Sequence, residues 1–145
     1  MKVVIILLLL LALTVVNANA IDLGLGGGPE FISLKTTGNK IILELRGDLS
    51  PGVNIGTIRG SYGINLFPWC IVSTGYGKGL ISFDINNVKG KGDMDVAFVG
   101  CEITLIKNIS VCIDYNYANF HLSNGKDEKK EKENFLSWGF IWYFK

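Results

Sequence analysis

The chain has 145 residues, 14 basic and 13 acidic side chains, one histidine, and apolar residues at almost half of its positions. A net charge of +1 gives no bulk attraction toward nucleic acid or an acidic partner, and the length leaves room for one domain. One histidine and three scattered cysteines without a C-x-x-C pair offer no zinc-ligand spacing, so neither a metal nor a cofactor is expected.

The first segment reads as a signal peptide. Met1-Lys2 precedes an uncharged stretch from Val3 to Val16 and the small-residue site Ala18-Asn19-Ala20, the order of a cleavable secretory leader. Fourteen residues are fewer than the roughly 20 that a membrane-spanning helix requires. Cleavage is expected after Ala20, leaving a domain from Ile21 to Lys145. In an exported chain, Cys70, Cys101 and Cys112 could supply one disulfide.

Beyond residue 20 no segment carries apolar residues at helical spacing, whereas period-two alternation recurs throughout. The chain is therefore all-β, and eight strands are expected at 21–34, 40–47, 52–59, 64–74, 79–87, 94–106, 109–123 and 134–144. Short connections fall at Asp48 to Pro51, Gly75 to Lys78 and Lys107-Asn108. Polar ones run from Asn87 to Asp93 and from Asn124 to Glu133. The glycines at 24, 26, 27 and 28 precede no helix and no Lys-Ser/Thr pair, so they read as strand glycines beside a crowded interior rather than a phosphate loop.

The alternation assigns faces. Leu136, Trp138, Phe140, Trp142 and Phe144 share one parity, opposite Ser137 and Gly139; Ile109, Val111, Ile113, Tyr115 and Tyr117 oppose Ser110, Cys112, Asp114 and Asn116. An eight-stranded barrel has too little lumen for the aromatic set, so that set should face lipid in an eight-stranded antiparallel transmembrane β-barrel of the bacterial outer membrane. Glu44, Arg46, Asp84, Glu102 and Asp114 would then lie inside and must pair with opposite charges. Opposed residues must share a face, which favours a three-residue turn from Ile106 to Asn108 with Glu102 opposite Cys112. That register puts Cys101 outside and Cys112 inside, unable to bond to each other.

Continuing the outward parity past Tyr117 brings Asn119, His121 and Ser123 to the outer surface near the extracellular end of the seventh strand. Residues two apart on a strand project from one face about 7 Å apart. A histidine can span that distance to take the proton of a serine hydroxyl, which is the start of acyl transfer.

His121-Leu122-Ser123-Asn124-Gly125, at the end of the penultimate strand and ahead of an aromatic last strand, resembles the H-x-S-N signature of the PagL-type lipid A 3-O-deacylases. The resemblance covers residues 94–144 and implies an outer-membrane esterase that removes an ester-linked 3-hydroxyacyl chain from lipid A of lipopolysaccharide. It implies Ser123 as nucleophile, His121 as general base and Asn124 as oxyanion donor. It also implies a residue at the start of the last strand that orients His121; Asn134 occupies the family's glutamate position, with Glu133 as the alternative. The charged run from Lys126 to Glu133 reads as a solvated outer loop with self-paired charges, or as a source of lysines for lipid A phosphates. The competing expectation is a non-enzymatic envelope barrel in which His121 and Ser123 are rim residues.

Overall fold

The computed structural model describes residues 21–29, 31–38, 40–85 and 88–144; the expected signal peptide lies outside them. The described chain is all-β. Eight strands run β1 (Ile21–Gly27), β2 (Phe31–Gly38), β3 (Ile41–Ser50), β4 (Val53–Phe67), β5 (Cys70–Ile85), β6 (Val88–Ile106), β7 (Ile109–Ser123) and β8 (Glu128–Phe144). Each pairs antiparallel with the next, and β1 pairs with β8 to close the ring.

The register fixes the shape. Following cross-strand partners from Leu25 leads through Leu34, Leu45, Ile58, Lys78, Asp95 and Asn119 to Lys132, whereas the direct partner of Leu25 across the closing seam is Trp142. The offset from Lys132 to Trp142 is ten residues. Eight strands with that stagger tilt by about 40° and close at a backbone radius of about 8 Å, so the interior holds side chains only.

Those side chains form a layered plug. Arg59 donates to Glu44 at 3.0 Å and Asp114 at 2.9 Å, and its guanidinium stacks on Phe98 with Cζ 3.7 Å from the ring centre. Lys35 meets Glu102 at 2.5 Å, and the Tyr143 hydroxyl donates to the same carboxylate at 2.7 Å. Arg46 lies 3.6 Å from Asp114 and donates to Ser137, which also accepts from Asn116. Toward the end away from Leu23 and Phe144 the lumen turns apolar, with Ile81, Met94, Val96 and Ala118 packed against Phe83, Phe120 and Phe135. The interior charges are paired, as the cost of burying a lone charge demands.

The outer face is apolar over most of its height. Trp138, Phe140, Trp142 and Phe144 of β8 and Tyr115 of β7 all point outward and are about half exposed, and Leu80 of β5 is 72% exposed. The expected parities of β7 and β8 hold, with Asp114 and Asn116 inside.

Several boundaries differ from the sequence expectation. The expected first strand is broken after Gly27, so that β1 and β2 stand where one strand was expected. Gly75 to Lys78 is not a turn but the middle of β5: a Cβ at Gly77 would stand 2.8 Å from Arg59 Cγ, so that glycine makes room for the plug. The true turn, at Pro68-Trp69, lies inside what alternation alone assigns to a strand. Asp84 faces outward and pairs with Lys89 at 3.4 Å instead of joining the lumen charges, because it shares the outward parity of Leu80 on β5.

The expected Glu102–Cys112 and Ile103–Val111 pairs are present. A bulge between Thr104 and Ile106 and a two-residue turn at Lys107-Asn108 supply the odd residue, in place of a three-residue turn. The polar connections are shorter than expected, since residues 88–93 belong to β6 and 128–133 to β8. Strand length, not loop length, distinguishes the two sides of the barrel: β1 and β2 have 7 and 8 residues, β6 and β8 have 19 and 17.

Candidate functional site

On three neighbouring strands the outward face changes from apolar to polar at one level. Ala97, Tyr117 and Asn134 are cross-strand partners, and the next outward row is Asp95, Asn119 and Lys132. Beyond it lie Asp93, His121 and Lys130, then Lys91, Ser123 and Glu128. Such alignment across separate strands follows from register, since partners share both face and height.

Within this patch Asp93 and His121 are directly opposed, and Nδ1 of His121 lies 3.2 Å from Oδ2 of Asp93. A carboxylate on Nδ1 fixes the ring and leaves Nε2 as the basic nitrogen. Two residues further on, the Ser123 hydroxyl accepts from the Gly125 N–H at 3.3 Å; no hydrogen bond joins it to His121 among the described residues. Gly125 has φ +85°, a left-handed conformation that glycine adopts without strain. It turns the chain so that this N–H points back at the serine.

The remaining expected residues are placed differently. Asn124 is a turn cap: its side-chain oxygen accepts from the N–H groups of Lys126 at 2.9 Å and Asp127 at 2.8 Å, and its own N–H meets the Asp127 carbonyl. Asn134 pairs with Tyr117 and Glu133 with Ala118, whereas the partner of His121 is Lys130. Asn134 is therefore four residues along β8 from the histidine's level, about 13 Å at strand rise, beyond hydrogen-bond reach. The register, with β8 starting early at Glu128, sets both candidates apart from His121 and places Asp93 beside it. Sequence reading missed Asp93 because it placed the residue in a loop; read as strand, it has the outward parity of Asp95 and Ala97.

A second polar set adjoins the first. The Tyr76 hydroxyl donates to Asp95, and Lys78 lies 3.6 Å from the same carboxylate.

Two depressions meet here. One, of about 460 Å³, is lined by Asp93, His121, Ser123, Lys91, Lys129 and Lys130. The other, about 1000 Å³, is an apolar furrow that follows the cross-strand rows obliquely around the outside, past Ile32, Leu34, Ile58 and Leu80. Its floor is lowered where Gly47 pairs with Gly56, two outward positions without side chains. Leu80 and Asp93 line both depressions, so the furrow opens onto the histidine.

No protein-family model, curated protein or solved structure matches the chain.

Proposed function

We propose that the protein is an outer-membrane esterase that hydrolyses an ester-linked acyl chain of a lipid A-type lipid, with the chemistry on the outer face of the barrel. The observation that carries this reading is the Asp93–His121 contact at 3.2 Å, on the strand that also bears Ser123. A carboxylate on one nitrogen of a histidine and a hydroxyl two residues away on the same face are the parts of an acyl-transfer centre.

In this reading the chain spans the outer membrane with its apolar belt in lipid, and the polar rows lie at the outer leaflet boundary. Ser123 attacks the ester carbonyl while Nε2 of His121 takes its proton. Asp93 steadies the imidazolium, and the side-chain Nδ2 of Asn124 donates to the developing oxyanion. Collapse expels the sugar hydroxyl, which takes the proton back from His121, and water then releases the fatty acid by the reverse sequence. The furrow takes the acyl chain. From β2 to β6 it crosses four strand spacings, about 19 Å, which suits an extended chain of medium to long length. Lys91, Lys129 and Lys130 face the headgroup phosphates as point charges.

The test is mass spectrometry of lipid A from cells with and without the protein, with Ser123→Ala as control. Loss of one hydroxyacyl chain that depends on Ser123 supports the reading; unchanged lipid A in both overturns it. A non-enzymatic envelope barrel is the second reading. The missing His121–Ser123 hydrogen bond favours it, and unchanged lipid A together with an envelope defect on deletion would establish it.

A further inference from the structure

The three cysteines do not stand alike. Cys112 faces the lumen, buried, with its thiol on the Gly139 carbonyl at 3.5 Å. Cys70 opens β5 and Cys101 lies on β6 with the outward parity of Val99; their sulfurs are 3.7 Å apart. Cys70 pairs with Ile103 and Val72 with Cys101, so the two are diagonal neighbours on one face. All three thiols are free here.

We propose that Cys70 and Cys101 become joined by a disulfide when the chain meets a thiol–disulfide oxidant. Bond formation requires the sulfurs to close from 3.7 Å to about 2.05 Å, a movement of under about 2 Å shared between side-chain rotation and a small backbone adjustment, since diagonal neighbours stand about 7–8 Å apart. The partly exposed Cys101 reacts first, its thiolate attacking a sulfur of the oxidant's disulfide and expelling one thiolate. The Cys70 thiolate then attacks the Cys101 sulfur and expels the second. Two electrons and two protons pass to the oxidant, whose two sulfurs leave as thiols.

The position gives the bond a role. The β4–β5 ladder is irregular between Asn65 and Phe67, beside the turn that begins β5, so the first residues of β5 are held less by β4 than those further along. Their other tie is the β6 ladder and one backbone hydrogen bond from Thr104 to the Trp69 carbonyl at 2.8 Å. A Cys70–Cys101 bond fastens β5 to β6 there and closes a loop of 31 positions, removing freedom from the unfolded chain. It also accounts for the odd cysteine count: one pair and one thiol kept apart inside the barrel.

The protein is refolded with oxidised and reduced glutathione, and thiols are counted in denaturant. The expected result is one free thiol, mapped to Cys112, and a peptide linking Cys70 to Cys101 that disappears on reduction. The Cys112→Ala protein should show none, and reduction should lower the midpoint of its thermal unfolding by roughly 5–10 °C. If Cys112→Ala does not fold, the wild-type peptide map decides. Three free thiols in folded, oxidised protein, a link that includes Cys112, or a dimer joined through Cys101 each overturns the proposal.

Discussion

Replacing Arg59 by methionine tests whether the plug holds the barrel together. The Arg59 side chain is 2% exposed and lies between Glu44 and Asp114. Among the described residues, ion pairs inside the barrel join Lys35, Arg46 and Arg59 to Glu44, Asp48, Glu102 and Asp114. Arg59→Met keeps most of the volume and removes one charge, leaving Asp114 with Arg46 at 3.6 Å and Glu44 with no ion pair among the described residues. Stranding a buried charge costs about 3–5 kcal/mol, and the partner that Asp114 keeps favours the lower end, about 3 kcal/mol. Glu44→Gln in the same chain removes the stranded charge, so the double variant should recover about 1–2 kcal/mol of the loss. Urea unfolding of protein refolded into vesicles, followed by tryptophan fluorescence, measures all three. An Arg59→Met protein within about 0.5 kcal/mol of wild type, or a double variant less stable than the single one, would refute the argument.

The remaining predictions concern the surface. Ser123→Ala and His121→Ala should each abolish most ester hydrolysis in purified protein, and the double variant should be scarcely worse because the groups act together; additive losses would show that they do not. Asp93→Asn should lower turnover about 10-fold or more while Asn134→Ala and Glu133→Ala leave it near wild type, and unfolding should move by at most about 1 kcal/mol because the Asp93–His121 pair is exposed; the opposite ranking would return the orienting role to β8. Gly56→Leu, which fills the furrow floor, should raise KM for long-chain esters several-fold and leave short-chain esters unaffected; equal effects on both would separate the furrow from the substrate.

The architecture was legible from alternation because the central part of the long strands buries one face and exposes the other. The parities of β7 and β8 were correct to the residue, and the Glu102–Cys112 register followed from matching faces alone. Turns were harder to place. Gly75 and Gly77 look like turn glycines, but their cause is the bulk of Arg59 on β4 and of Phe98 and Val96 on β6, their neighbours on the flanking strands, which no local pattern reveals. The run from Glu128 to Glu133 looks like a loop because both of its faces are charged, yet it pairs residue by residue with β7. That extension moves Asn134 away from His121, while the early start of β6 at Val88 brings Asp93 alongside it. His121 and Ser123 could therefore be found from the motif and its parity, but Asp93 required knowledge of where β6 begins.

The closing seam has a consequence for how the barrel comes apart and goes together. β1 meets β8 over five residue pairs, Leu23 to Gly27, while β5 with β6 and β7 with β8 are paired along nearly their whole lengths. Each pairing contributes ladder bonds and cross-strand contacts, so resistance to opening is unequal around the circumference. The long strands form a curved sheet that can persist with β1 detached, and the short first strand is the piece that docks last and leaves first. Backbone amides of β1 then exchange with solvent through openings that leave the charged plug intact. The molecule is expected to behave as a long sheet fastened by a small latch, and the latch is the strand Ile21–Gly27.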